Sequence, residues 1–157
     1  GGVPISILIA LVLFLLFYFI QHKTLLGKYS YAIGGNRRTS LLSGINVNRV
    51  GIVLYVLVGL LSAFAGTMTA SRLGVGSASI GTGFEFEVVV AVVLGGTSLH
   101  GGEGSVLGML IGALIVGFIA NGLNLLGIHS FYQSVVKGIV LVGAVILDRV
   151  LRARIRA

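Results

Sequence analysis

The segment VPISILIALVLFLLFYFI at residues 3–20 has no charged side chain, and QHKTLLGKYSYAIGGNRRTSLLSGINVNR at residues 21–49 has five basic residues and no acid. At about 1.5 Å per residue, an apolar helix of this length can cross a hydrocarbon core of about 30 Å. Basic residues beside a membrane span are retained on the cytoplasmic side. This junction therefore predicts a membrane protein in which residues 21–49 form a cytoplasmic loop.

The composition supports the same class. Hydrophobic residues make up 56% of the chain, charged residues only 10%, and the mean hydropathy is +1.09, whereas soluble domains are about a quarter charged. Nine of the eleven Lys and Arg residues lie in residues 21–49 or in the tail, at Arg149, Arg152, Arg154 and Arg156. The positive-inside bias explains the net charge of +7 without a nucleic-acid partner. There is no cysteine, hence no disulfide and no thiolate metal site.

Five apolar segments predict an all-α, polytopic bundle with spans at about residues 3–20, 50–70, 84–98, 106–126 and 132–147. The third has an apolar run of only residues 88–94, so its helix must start near Phe84 and continue toward Ser98 to cross. Placing both basic clusters in the cytoplasm requires an even number of crossings after the first span. We therefore expect the N-terminus outside and the C-terminus inside. A re-entrant third segment would place the four tail arginines outside.

Small residues predict where helices pack closely. Gly59, Ala63 and Gly66 share one face of the second span, and Gly108 and Gly112 have the small-xxx-small spacing in the fourth. Both faces are expected to meet another helix.

The fourth span also carries amides on its opposite face. Asn121 and Asn124 continue the stripe that begins at Ala113 and Gly117, and an amide facing lipid would leave its polar groups unsatisfied. Two interpretations stay open: the asparagines hydrogen-bond neighbouring helices, or they line a path for a polar solute.

Several blocks resemble the permease subunits of ribose-type ABC importers, the inner-membrane components of binding-protein-dependent sugar transport. The blocks occur in the family's order across nearly the whole chain: TLLGKY at 24–29, YAIGGN at 31–36, LSGINV at 42–47, AVVLGGTSL at 91–99, GGEGS at 101–105 and NGLNLLG at 121–127. The resemblance implies a multi-pass protein of the bacterial inner membrane. Because such permeases have about ten spans in two related halves, and this chain begins at Gly1, we expect it to be the C-terminal half of a larger protein.

The resemblance also implies partners: a separate ATPase subunit, an external sugar-binding protein, the second permease half or subunit, and membrane lipid. The ATPase would dock on a coupling segment at about residues 36–47, with Asn36, Thr39, Ser40, Ser43, Gly44 and Ile45 as the residues concerned. The family usually has alanines where this chain has Thr39 and Ser40.

The residues themselves predict a short helix at this place. Gly34 and Gly35 interrupt the chain, Asn36 is a suitable N-cap, and residues 37–42 are followed by a terminating Gly44. Without the resemblance, a basic loop that only fixes topology is the better interpretation of this segment; with the resemblance, docking is favoured.

No catalytic, cofactor or metal site is predicted. The phosphate-binding G-x-x-x-x-G-K-[ST] motif is absent, so ATP hydrolysis belongs to a separate subunit and this chain is not an enzyme. His100 and Glu103 lack a third ligand. Glu85 and Glu87 are expected at the membrane interface, and Lys137 is expected to snorkel or to pair with a carboxylate, with a direct role as the alternative for each.

Two other functions remain open at this point. One is a permease of the related branched-chain amino acid importers, whose sequences are similarly rich in glycine. The other is an autonomous oligomeric channel or secondary transporter. Proton coupling would call for intramembrane carboxylates or histidines, and the first, second, fourth and fifth spans have none at mid-membrane.

Overall fold

A computed structural model describes residues 4–77 and 81–155, with side chains for 4–77, 81–129 and 131–146. This described part contains seven helices and no strand: α1 Ile5–Lys23, α2 Leu25–Gly35, α3 Arg37–Leu42, α4 Val47–Leu73, α5 Phe84–Leu94, α6 Val106–Leu125 and α7 Ser130–Ile155. The predicted all-α fold is confirmed. Val3, the predicted start of the first span, lies outside the described residues.

Three helices among the described residues are long and apolar enough to cross a membrane: α1, α4 and α6. Within α7 a shorter apolar stretch runs from Phe131 to Ile146. Helix α5 ends at Leu94, before the Ser98 expected from the sequence, because Gly96 turns the chain at a φ of 78°. Its eleven residues cover about 16 Å, roughly half of a hydrocarbon core.

The apolar side chains of these helices are mostly uncovered. No residue of α1 is buried, and large apolar side chains such as Ile5, Phe19 and Phe118 are exposed. Soluble monomers rarely leave apolar surface of this extent open. Lipid or further helices must cover it, as expected for a transmembrane bundle.

The chain divides into two units, with the boundary between Thr82 and Gly83. In the first unit, α2 contacts α1, α3 and α4. Thr24 caps α2 by accepting a 3.4 Å hydrogen bond from the Gly27 backbone N–H. Gly27 is buried, and a Cβ there would lie 2.7 Å from the Ile20 carbonyl oxygen. Only glycine lets α2 turn this closely against the end of α1.

In the second unit, the short helix α5 packs against both α6 and α7. Its interior is built from the buried side chains of Val90, Val93, Val116 and Ala144.

Candidate functional site

The predicted short helix at residues 37–42 is confirmed as α3. The Asn36 side chain accepts a 3.0 Å hydrogen bond from the Thr39 N–H, as an N-cap should. The chain leaves the helix at Ser43, and Gly44 has a φ of 80°, which favours glycine. The local sequence therefore encodes the start and the end of this helix.

The residues predicted for coupling have different surroundings. Ser40 is only 4% exposed; its hydroxyl donates to the Asn36 carbonyl at 3.0 Å, and its own carbonyl accepts from the Ile45 N–H at 3.0 Å. Ser43 is exposed, and its hydroxyl donates to the Thr39 carbonyl at 3.0 Å. Ser40 thus holds the helix to the following turn, whereas Ser43 and Thr39 lie on the surface.

The exposed C-terminal end of α3 is apolar. Leu41 is exposed, and Leu42 is 84% exposed. Two adjacent leucines on a short helix flanked by basic residues form a surface that a complementary groove could cover. We call this pair the α3 docking face.

The glycines of α6 meet α5 directly. A Cβ at Gly108 would collide with the Gly95 carbonyl, and one at Gly112 would collide with the Ala91 carbonyl. Ala91 and Gly95 have the same four-residue spacing as Gly108 and Gly112, so two small-xxx-small pairs face each other across the interface. By contrast, a Cβ at Gly59 or Gly66 on α4 would meet no described atom within 4 Å.

The loop at residues 95–105 is held by its own backbone. The Ser98 N–H donates to the Glu103 carbonyl at 3.0 Å, and the Ser98 hydroxyl accepts from the His100 N–H at 3.2 Å. The Thr97 hydroxyl is buried without a hydrogen-bond partner in the described structure. In the described part of the chain no three His, Cys, Asp or Glu side chains could jointly hold a metal ion.

A part-buried polar contact joins α6 to α7. The Gln133 side-chain amide donates to Asn124 Oδ1 and to the Ile128 carbonyl, both at 2.8 Å, and Gln133 is only 9% exposed. Asn121, one turn earlier on α6, is exposed. Both asparagines are exposed, and Asn124 in addition makes a hydrogen bond between the two helices.

Gln133 is not among the residues predicted from the sequence to have a special role. Its signal was the spacing of Gln133 and Lys137, which puts two polar side chains on one face of an apolar helix. Only the tertiary structure shows that Asn124 is the partner.

An ion pair joins α5 to α7. Lys137 Nζ contacts Glu87 Oε1, and the two side chains are 23% and 28% exposed respectively. Beside the pair lies a void of about 10 Å³ lined also by Val90, Val116, Ile119 and Val140. Lys137 thus pairs with a carboxylate, one of the two arrangements expected, and Glu87 lies within the helix packing.

Comparison with known proteins identifies the family. The family model described as "Branched-chain amino acid transport system / permease component" matches residues 2–145. The chain belongs to this permease family. No solved structure matches it.

The names of several similar proteins in the family refer to sugars. The chain is 50% identical over 147 residues to the ribose import permease protein RbsC of Escherichia coli K12, and 51% identical over 148 residues to RbsC of Bacillus subtilis; each match covers 94% of this chain and 46% of the relative. The xylose transport system permease protein XylH of Haemophilus influenzae is 44% identical over 147 residues, 94% of this chain and 39% of XylH. The resemblance to ribose-type permeases is confirmed. The chain spans less than half the length of these relatives.

Proposed function

We propose that this chain is one half of the transmembrane permease of an ATP-driven importer for a monosaccharide such as ribose. The observation that carries the proposal is the 50% identity to the ribose permease RbsC over 94% of the chain. The family description mentions branched-chain amino acids, but the relatives cited above are named for ribose and xylose. A monosaccharide is therefore the better-supported substrate. Such a permease is a transport subunit, with ATP hydrolysis on a separate protein.

We place the N-terminus outside, residues 21–49 in the cytoplasm and the C-terminus inside, at the bacterial inner membrane. This orientation is supported by charge: residues 21–49 hold five basic side chains and no acid. A sugar-binding protein would then deliver substrate on the outer side, and the ATPase would bind from the cytoplasm.

The α3 docking face is the proposed contact with the ATPase. Helix α3 packs on α2 and α4, so a displacement of α3 is transmitted to the long helix α4 through direct contacts. Closure of the ATPase would in this way tilt helices of the first unit and change the access to the path. The exposed Leu41 and Leu42 would bind a groove on the ATPase, whereas the buried Ser40 stabilises the conformation of α3.

The candidate translocation path runs along α6. Asn121 is exposed on this helix, and its amide can exchange hydrogen bonds with sugar hydroxyls. Asn124 has a structural hydrogen bond to Gln133, so its contribution to the path is the positioning of α6 against α7. The remaining helices of a complete permease would close the path on its other side.

A chimera tests this proposal. The matching 46% of E. coli RbsC is replaced by this chain, and the chimera is produced in cells that lack RbsC. We expect uptake of labelled ribose, or of xylose or allose if the substrate differs. If a correctly inserted chimera that binds the ATPase takes up none of these sugars, the monosaccharide function is wrong.

The docking role is tested in the same chimera. Leu42→Asp should remove both sugar uptake and co-purification of the ATPase, because a carboxylate cannot enter an apolar groove without a large desolvation cost. Leu99→Asp is the matched control, since Leu99 is also an exposed leucine but lies in the 95–105 loop. Retention of the ATPase by Leu42→Asp would refute docking through α3.

A further inference from the structure

An open cleft of about 520 Å³ lies within the first unit, between α2, α3 and the beginning of α4. Its lining comes from Ser30 and Ile33 of α2, from Arg37 of α3, and from residues of α4 between Val47 and Tyr55. This volume is in the range of pockets that hold small organic ligands. The α3 docking face does not line it.

Both polar and apolar residues line the cleft. Arg37 and Asn48 supply hydrogen-bond donors, whereas the Ser30 hydroxyl already donates to the Gly27 carbonyl at 2.7 Å. Along α4 the lining becomes apolar, with Ile52 exposed and Tyr55 82% exposed. Tyr55 lies about 10 Å further along the helix axis than Asn48. A ligand that matches this surface has a polar head and an apolar chain.

The charge of the first unit indicates that the polar head of the ligand is an anion. Residues 1–82 contain six basic residues, Lys23, Lys28, Arg37, Arg38, Arg49 and Arg72, and no Asp or Glu. Arg37 therefore has no carboxylate in its own unit with which to pair. An anion at Arg37 must come from outside the unit, and its guanidinium is suited to bidentate phosphate contacts.

We propose that this cleft binds an anionic phospholipid of the cytoplasmic leaflet, with the phosphate at Arg37 and the start of an acyl chain along α4 at Ile52 and Tyr55. The inference depends on the cytoplasmic placement of residues 21–49 and not on the transported solute. A soluble anion would satisfy Arg37 but leave the apolar side of the cleft exposed. A bound lipid would fasten α3 to α4 and leave the docking face free.

Fluorescence quenching tests the proposal, since the chain has no Trp. Tyr55→Trp places a single reporter in the cleft at an exposed position that tolerates a larger ring. The purified chain is reconstituted in phosphatidylcholine vesicles containing a fixed fraction of either dibrominated phosphatidylglycerol or dibrominated phosphatidylcholine. A basic side chain near the membrane surface attracts anionic lipid by about 1 kcal/mol, so we expect an approximately fivefold preference for phosphatidylglycerol.

Matched variants separate a specific site from general attraction. Arg37→Gln should reduce the preference to near one, whereas Arg38→Gln, which removes an adjacent arginine that does not line the cleft, should leave it. A Val58→Trp reporter, on an exposed part of α4 outside the cleft, should show no preference. Ile52→Trp provides a second cleft reporter should Tyr55→Trp fold poorly.

Three results would overturn the proposal. Equal quenching by both lipids would show that the cleft does not select an anion. If Arg37→Gln and Arg38→Gln lowered the lipid preference equally, the preference would be explained by general surface charge and not by a site at Arg37. Absence of lipid preference, combined with a reporter emission shift on adding the ATPase, would assign the cleft to the protein partner.

Discussion

Gly112 is the position where a single methyl group should do most damage. It is buried on α6, and a Cβ there would lie 2.8 Å from the Gly95 nitrogen, with the Ala91 carbonyl oxygen closer still. Ordinary contact begins at 3.4 Å. Gly112→Ala must therefore separate α5 from α6 by at least 0.6 Å, the difference between these two distances. The obstacle is backbone, so no side chain can rotate away.

The magnitude follows from two opposing terms. Overpacking costs typically 1 to 3 kcal/mol, and rigid backbone on the facing helix places this site at about 3 kcal/mol. Alanine regains about 1 kcal/mol of helix propensity over glycine. Gly112→Ala should then lower the free energy of unfolding by about 2 kcal/mol.

Gly117→Ala is the matched control on the same helix, because a Cβ there would meet nothing within 4 Å. It should be neutral or more stable by up to about 1 kcal/mol. The free energy of unfolding is measured for the purified chain by titration with sodium dodecyl sulfate, with the folded fraction followed by pulse proteolysis. The difference between the two variants cancels the propensity term. If Gly112→Ala proves as stable as Gly117→Ala, α5 does not pack on α6 through these glycines.

Three further variants test other contacts. Lys137→Met should destabilise the chain by about 2 kcal/mol by leaving the Glu87 carboxylate unpaired in a partly buried site. Adding Glu87→Gln should recover more than half of this loss in the same titration. Purely additive effects of the two substitutions would show that the two side chains do not interact. Gln133→Leu should cost about 1 kcal/mol for its lost hydrogen bonds to Asn124 and to the Ile128 carbonyl, against almost no change for exposed Asn121→Leu; equal losses would contradict this. Asn36→Ala should cost α3 about 1 kcal/mol, seen as roughly fivefold faster hydrogen exchange at α3 amides, whereas Asn36→Ser should preserve protection.

The apolar helices could be predicted from the sequence because their length and composition are local properties. Their ends were less accessible. Helix α4 begins at Val47, capped by the Asn46 side chain, which accepts a 3.1 Å hydrogen bond from the Arg49 N–H. The expected start was residue 50. A hydropathy pattern leaves out the polar first turn, even though capping residues belong to the helix.

Helix α2 was missed for a related reason. Residues 25–35 lie in the basic, glycine-containing segment 21–49, for which the sequence predicts a loop, yet Thr24 caps a helix there. The Gln21 side chain of α1 also donates to the Tyr31 hydroxyl of α2. Such contacts stabilise a helix of modest propensity through tertiary packing. Thr24 was the visible signal, but the close fit of Gly27 against α1 is a property of the folded chain alone.

The predicted helix-packing residues show more clearly that tertiary contacts cannot be predicted from local sequence. Sequence spacing marked the faces of α4 and α6 that carry small residues as equally suited to packing. In the structure, Gly108 and Gly112 meet Ala91 and Gly95 of α5, whereas Gly59 has no described atom within 4 Å of its Cβ position. The spacing of small residues is a property of one helix, so it indicates only that another helix can approach closely. Which helix approaches depends on a second surface with matching small residues, and α5 supplies one because Ala91 and Gly95 repeat the same interval.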